Sequence, residues 1–519
     1  MAALEPRHDE AAGQTVGLSP FLRCPGQGST QPVAGGADWQ LLADLGQSVS
    51  RNACDRRAGG VNRSRPGRRS KRFVVAGARL GSRHRSRLLR NPLARTSGLI
   101  MLTTVGTAVL GFVYWVLAAR SYSPGAVGTS AVSVSVMTLA SLVSIVGTNS
   151  AVVQRIPQRG ARSEWSLTVT VGLTVAGLTG GLAGLVGWGV ILGVTRSGAF
   201  LAPGYLVALV GGVALTNCGM VLDSVWVVER AASVRLFTSI LMSAIKLPLL
   251  LVPLLHAQGA AGIQMGWSVA VMVSVAVGLG LLVRMRAYRP SWVGWRAEAR
   301  AMRRSMAGNY IVGLGAMIPS YAVPVLVGAA VTASSTAYFY SAWRVGSFFF
   351  VAASAVSSAL FAEGSRAPNT VAGSARRALW LIVPGLGIAM VVCALLGPSL
   401  LQAFGTRYRT QALGLLLLLI AAAIPDALTS VYRTVLRLEC RYGQAAAFIW
   451  SLALVQIGMT WFLLPRWGIT GAGAAWLIAE SLGVVYAGVD MLRQRGRPPR
   501  RHGMPSGLPE LTNADEVLR

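Results

Sequence analysis

From residue 97 to residue 489 long apolar runs alternate with short gaps that carry arginine. The runs are about 20 to 29 residues long, the length a helix needs to cross roughly 30 Å of hydrocarbon at 1.5 Å per residue. Twelve spans are predicted: 97–119, 126–153, 166–194, 205–228, 236–255, 259–283, 306–330, 337–362, 378–398, 411–432, 443–465 and 468–489. Outside them the pattern changes. Residues 1–95 lack apolar periodicity and are rich in Gly, Pro, Ser and Arg, which reads as a disordered polybasic tail, and a polar tail over 491–519 closes the chain. The expected fold is an all-α polytopic membrane protein with about twelve transmembrane helices in two parallel-related six-helix bundles. The bundles are assigned to 96–284 and 305–490, joined by a cytoplasmic linker over 285–304.

An internal repeat motivates that division. Gly259, Gly262, Trp267 and Ala270, opening the sixth span, recur as Gly468, Gly471, Trp476 and Ala479, opening the twelfth. The displacement is 209 residues and spans an even number of helices, so the two halves share one topology about an axis along the membrane normal. In the third span Gly177, Gly180, Gly181 and Gly184 have the small-residue spacing that lets helices approach closely.

Composition sharpens the class. Of 519 residues 53% are hydrophobic and 13% charged, and the mean hydropathy is +0.54, which excludes a single water-soluble domain. The net charge is +30, with Lys71 and Lys246 the only lysines. Because the arginines sit in the N-terminal tail and in the gaps, the expected partner is an anionic membrane surface and not nucleic acid. Even-numbered gaps hold eighteen basic residues against five in the odd-numbered ones, an asymmetry that predicts both termini in the cytoplasm. Five scattered cysteines and four histidines supply no disulfide framework and no metal site. Neither a phosphate-binding G-x(4)-G-K-[ST] loop nor an H-E-x-x-H motif is present, so no cofactor and no enzymatic activity are expected.

Several stretches carry a resemblance. The first span ends in "VLAARSYSPGAVGTSAV", with Arg120 and Gly128, and the second in "AVVQRIPQ". The eighth opens with "AYFYSAWRVGSF", similar to a Tyr-x-x-Ala-x-Arg stretch, with Tyr338 or Tyr340, Ala342 and Arg344. "LLQAFGTRYRTQALGLLLLLIAAAIPDALTSVYRTVLRLECR" and "GITGAGAAWLIAE" follow. Together, over about residues 95–492, these resemble the polysaccharide flippases of the multidrug/oligosaccharidyl-lipid/polysaccharide exporter superfamily. The resemblance implies two six-helix bundles around a central cavity that opens alternately to each side. The implied cargo is a lipid-linked oligosaccharide or related polysaccharide precursor, with glycosyltransferases or a polymerase as neighbours. Twelve spans is fewer than the lipid II flippase branch carries.

Charges inside the spans are the informative residues, because each costs about 2.5–3.5 kcal/mol to insert at a helix centre. Lys246, Arg344, Glu480 and Asp426 stand out. At the 209-residue displacement they fall opposite uncharged positions, Lys246 opposite Val455 and Glu480 opposite Val271, so the scaffold does not require them. Lys246 and Arg344 read as substrate-binding cations for a pyrophosphate, the alternative being snorkelling or a structural ion pair with Glu480 or Asp426. Glu480 and Asp426 read as an ion-coupling pair or as partners of a basic side chain. Pro319 and Pro324 in the seventh span permit bends and mark it as a gating helix. Two other readings stay open: a cation-coupled small-molecule exporter of the same superfamily, and a non-transporting membrane scaffold for glycan synthesis.

Overall fold

The computed structural model describes residues 92–195, 198–364, 371–439 and 441–495. Apart from 92–95 and 491–495, which lengthen the first and last helices, the two predicted tails lie outside the described residues. Among the described residues there is no strand, and twelve helices are long: α1 (Pro92–Ser121), α2 (Pro124–Ser144), α3 (Arg162–Thr195), α4 (Pro203–Val228), α5 (Ala232–Leu249), α6 (Ala260–Arg286), α7 (Trp295–Ala330), α8 (Ala333–Gly364), α9 (Val371–Phe404), α10 (Thr406–Leu438), α11 (Tyr442–Trp467) and α12 (Ile469–Arg495). Among the described residues eleven stretches are long and apolar enough to cross a membrane. The protein is an all-α polytopic membrane protein. Helices suit that setting because each satisfies its own backbone polar groups where no water can.

Three predicted boundaries are corrected. The run over 126–153 is not one helix: α2 stops at Ser144, Val146 and Gly147 adopt left-handed conformations, and a separate short helix, Thr148–Arg155, follows. Hydropathy could not show this, since Ile145 and Val146 are as apolar as the helix before them. The run over 236–255 ends early, at Leu249, because Pro248 and Pro253 supply no backbone donor, and Pro253–His256 forms its own turn. The expected linker is half helix, α7 beginning at Trp295 after a left-handed Gly294.

Packing follows side-chain size. On α3, Ala176, Gly180, Gly184 and Gly187 are buried, while Leu178, Leu182 and Val186, spaced by four residues, point outward. A methyl group added at Gly184 would lie 2.8 Å from the Val210 Cα on α4, and one at Gly180 would lie 2.9 Å from the Ala214 Cα. Bulk faces lipid and small residues face protein, as expected where helices gain nothing from leaving water.

The helix pairs form two matched sets. α1 packs on α5 as α7 packs on α11, and α2 on α3, α3 on α4, α4 on α6 and α5 on α6 recur as α8 on α9, α9 on α10, α10 on α12 and α11 on α12. The repeat motif is the same structural device twice. Gly259 and Gly468 precede α6 and α12 with φ of 57° and 55°. A side chain on Gly262 would collide with the Leu255 carbonyl, and one on Gly471 would lie 2.6 Å from the Leu463 carbonyl oxygen. Before that turn the displacement is 210 and not 209: the Ala231 amide bonds the Trp226 carbonyl as the Arg441 amide bonds that of Leu436, and α5 and α11 start at 232 and 442. Lys246 therefore corresponds to Gln456, not to Val455.

The sets meet along α2, which packs on α7 and α8, and along α1, which touches α8 and α9. Gly128 lies under the Ala333 carbonyl and Gly328 under Val132, so these helices approach almost backbone to backbone. At the α1–α2 end Arg120 donates from Nε to the Ala403 carbonyl (2.8 Å) and from Nη2 to that of Gln402 (3.0 Å), closing the C-terminus of α9.

Candidate functional site

The two cations come together at the seam between the halves. α5 carries Lys246 inward, where it is 5% exposed, and its Nζ lies 3.8 Å from the ring centre of Trp267 on α6 and 5.6 Å from that of Tyr114 on α1. The Tyr114 hydroxyl donates to the Ile263 carbonyl (3.4 Å), and Trp115 packs edge-on against Tyr340 of α8 at 4.6 Å. From α8, Arg344 reaches α1 at Gly111, where a Cβ would sit 2.8 Å from its Nη2. Arg344 is half-buried and close enough to Lys246 for the two charges to repel.

No ion pair to either cation is present among the described residues, so neither is neutralised by Glu480 or Asp426. A desolvated cation–π contact is worth about 2 kcal/mol. That is less than the cost of placing even one charge in such an interior, and the mutual repulsion adds to it. The seam thus gathers positive charge in a low-dielectric interior.

Glu480 and Asp426 belong to a second cluster, inside the C-terminal half. Glu480, 1% exposed at mid-α12, accepts from Thr429 Oγ1 of α10 (2.6 Å) and from Gln456 Nε2 of α11 (2.8 Å). Asp426, buried one turn before Thr429, faces Arg433 Nη2 at 3.6 Å, and that guanidinium also donates to Ser430 Oγ (2.6 Å). Two carboxylates and the Thr429 hydroxyl gather here, with the Gln456 amide N–H and the Arg433 guanidinium directed at the carboxylates. Among the described residues no group of three or more His, Cys, Asp or Glu side chains gathers as a metal site. Pro319 and Pro324 are both buried in α7, which runs helical through them, and nearby Gly315 lies against Trp450 of α11.

Sequence reasoning missed Gln456, Thr429 and Arg433 around Glu480, and Tyr114, Trp267 and Gly111 around the cations. Gln456, a lone amide in an apolar run, was the one detectable signal. It also missed a third cluster, where α7 begins. Glu298 there is buried and accepts from Arg155 Nε (2.8 Å) and Nη2 (2.7 Å), from Arg159 and from Thr168 Oγ1 (2.8 Å). Burial opposes ionisation of this carboxyl, but the Arg155, Arg159 and Thr168 hydrogen bonds outweigh it and hold the pKa down to about 2. Arg155 is accordingly a structural partner of Glu298. Glu229 pairs with Arg286 (3.3 Å).

No protein-family model matches the chain, and no curated protein matches it. Solved structures do. An inward-facing multidrug resistance transporter of the MATE family, in the MOP superfamily, superposes with a TM-score of 0.60 at 15% identity over 75% of this chain and 95% of that one. The lipid II flippase MurJ, in an inward closed conformation, gives 0.64 at 13% identity over 76% and 87%. A MOP superfamily transporter from Pyrococcus furiosus gives 0.52 at 16% identity over 79% and 98%. The chain has the fold of multidrug/oligosaccharidyl-lipid/polysaccharide superfamily transporters.

Proposed function

We propose that the protein is a flippase of the bacterial cytoplasmic membrane that moves a polyprenyl-pyrophosphate-linked oligosaccharide, or a related polysaccharide precursor, between leaflets by alternating access. The observation that carries this reading is the pair of unneutralised cations, Lys246 and Arg344, walled by Tyr114, Trp267 and Tyr340 at the seam of the two halves. A pyrophosphate must cross a region that penalises charge, and buried cations offset that penalty. Aromatic walls suit sugar faces and prenyl chain alike.

Asp426 and Glu480 are the coupling site in this scheme, taking a proton or sodium ion and transmitting its arrival through α10 and α12. Pro319 and Pro324 supply the bend in α7 that lets the halves rock. The arginine asymmetry supports cytoplasmic termini, and enzymes that build or polymerise the glycan are the functional partners. A second reading rests on the same carboxylates and on the likeness to a multidrug transporter: export of a small organic cation.

Proteoliposomes holding a fluorescent polyprenyl-pyrophosphate disaccharide test the first reading, with outer-leaflet quenching as readout. Transport by the native chain, lost in Lys246→Ala/Arg344→Ala while protein abundance is unchanged, is expected. No transport by the native chain, together with gradient-driven uptake of a cationic dye that Glu480→Gln abolishes, would replace it with the second.

A further inference from the structure

The connection between α6 and α7 is not a slack tether. Tyr288 is buried and its hydroxyl is hydrogen-bonded to Thr170 Oγ1 (2.8 Å), the same hydroxyl that accepts from the Ser291 amide (3.2 Å). Glu298, one helical turn into α7, is fastened to Arg155, Arg159 and Thr168. Three points thus hold the segment against α3 and the short helix before it. What those points leave outward is amphipathic: Trp292, Val293 and Trp295 are exposed, with Val293 86% exposed, and Arg284, Arg289, Arg296, Arg300 and Arg303 are exposed around them. The Arg296 guanidinium lies 5.6 Å from the ring centre of Trp295. From 284 to 304 the single acid is Glu298, and it is consumed internally, so the outward charge is uniformly positive.

Paired tryptophans beside arginines at the end of membrane helices match the level where acyl chains give way to phosphate. We propose that this connection is a preformed binding surface for anionic phospholipid headgroups, with Trp292, Val293 and Trp295 entering the leaflet and Arg289, Arg296 and Arg300 taking the phosphates. Because the Glu298 clamp fixes the geometry beforehand, binding orders little new structure. The site lies apart from the Lys246–Arg344 seam and stands whether or not a glycan is the cargo.

The full-length protein in neutral detergent, titrated with phosphatidylglycerol or with phosphatidylcholine, tests it by counting retained lipids in native mass spectrometry. Phosphatidylglycerol should be retained at about tenfold lower concentration than phosphatidylcholine, an advantage that added salt erodes. Arg289→Gln/Arg296→Gln/Arg300→Gln should bring the two lipids level with an unchanged melting midpoint. Arg407→Gln/Arg409→Gln, on the opposite end of the molecule, should leave the preference intact. Equal retention by the native chain, a preference that survives in the triple variant, or one equally lost in the opposite-end variant would overturn the proposal.

Discussion

Glu298 has one carboxylate to share among three donors, and its consequence is a pH dependence of defined sign. Its folded-state pKa, about 2, lies below the ordinary glutamate value. The stabilisation is therefore complete above about pH 4.5 and is lost as pH falls toward about 2, where the folded protein too takes up the proton. Glu298→Gln should lower stability near neutrality by about 2 kcal/mol, the scale of hydrogen bonds to a charged group. Thermal midpoints of the two proteins in detergent should converge as the pH drops from 5 to 2, and a constant gap across that range would deny the clamp its charge. A different test applies to Glu480, since glutamine keeps its shape and removes its titration. Glu480→Gln should leave cargo movement down its own gradient and abolish its response to an imposed proton or sodium gradient. At this scale the charges were legible because isolated ions in apolar runs are costly and conspicuous. The correspondence of Gln456 with Lys246 was not, because a fixed displacement of 209 hid it, and Gly111 shows its purpose only once Arg344 is seen beside it.

Elements were the most legible level, since hydrocarbon thickness sets their length and their number follows from counting apolar runs. Their ends were harder to read. Val146 turns left-handed inside an apolar stretch, and α7 begins in what composition marked as a polar linker, because cap geometry and ion pairs decide such ends and hydropathy does not register them. The inside-out packing of α3 makes a sharp prediction. Gly184→Leu must displace the α4 backbone at Val210 and should cost about 1–3 kcal/mol, lowering the melting midpoint. Leu182→Ala, two residues away on the exposed face, should change it by less than about 0.5 kcal/mol. Equal effects would mean that α3 is turned the other way.

As a whole the molecule is two related sets of helices tied by Glu298 to Arg155, Arg159 and Thr168 where α7 begins, and by the Arg120 contacts with Gln402 and Ala403 at the α1–α2 end. Removing the Arg120 tie should favour opening there. Spin labels at Ser123 and Thr406, both exposed, should report a longer and broader distance distribution in Arg120→Ala than in the native protein, and superimposable distributions would show that the tie does not govern that end. The sequence repeat made the doubling of the fold legible, but which residues the seam would gather was not, because Tyr114, Lys246, Trp267, Tyr340 and Arg344 come from four helices far apart in the chain. The central claim is that this seam binds an anion through charge. Equilibrium binding of a water-soluble short-chain prenyl pyrophosphate to the purified protein measures it most directly. The native chain should bind, Lys246→Gln/Arg344→Gln should lose at least about tenfold in affinity, and Lys246→Arg should retain most of it, since a buried positive charge is what is required. Undiminished affinity in the double glutamine variant would contradict the account.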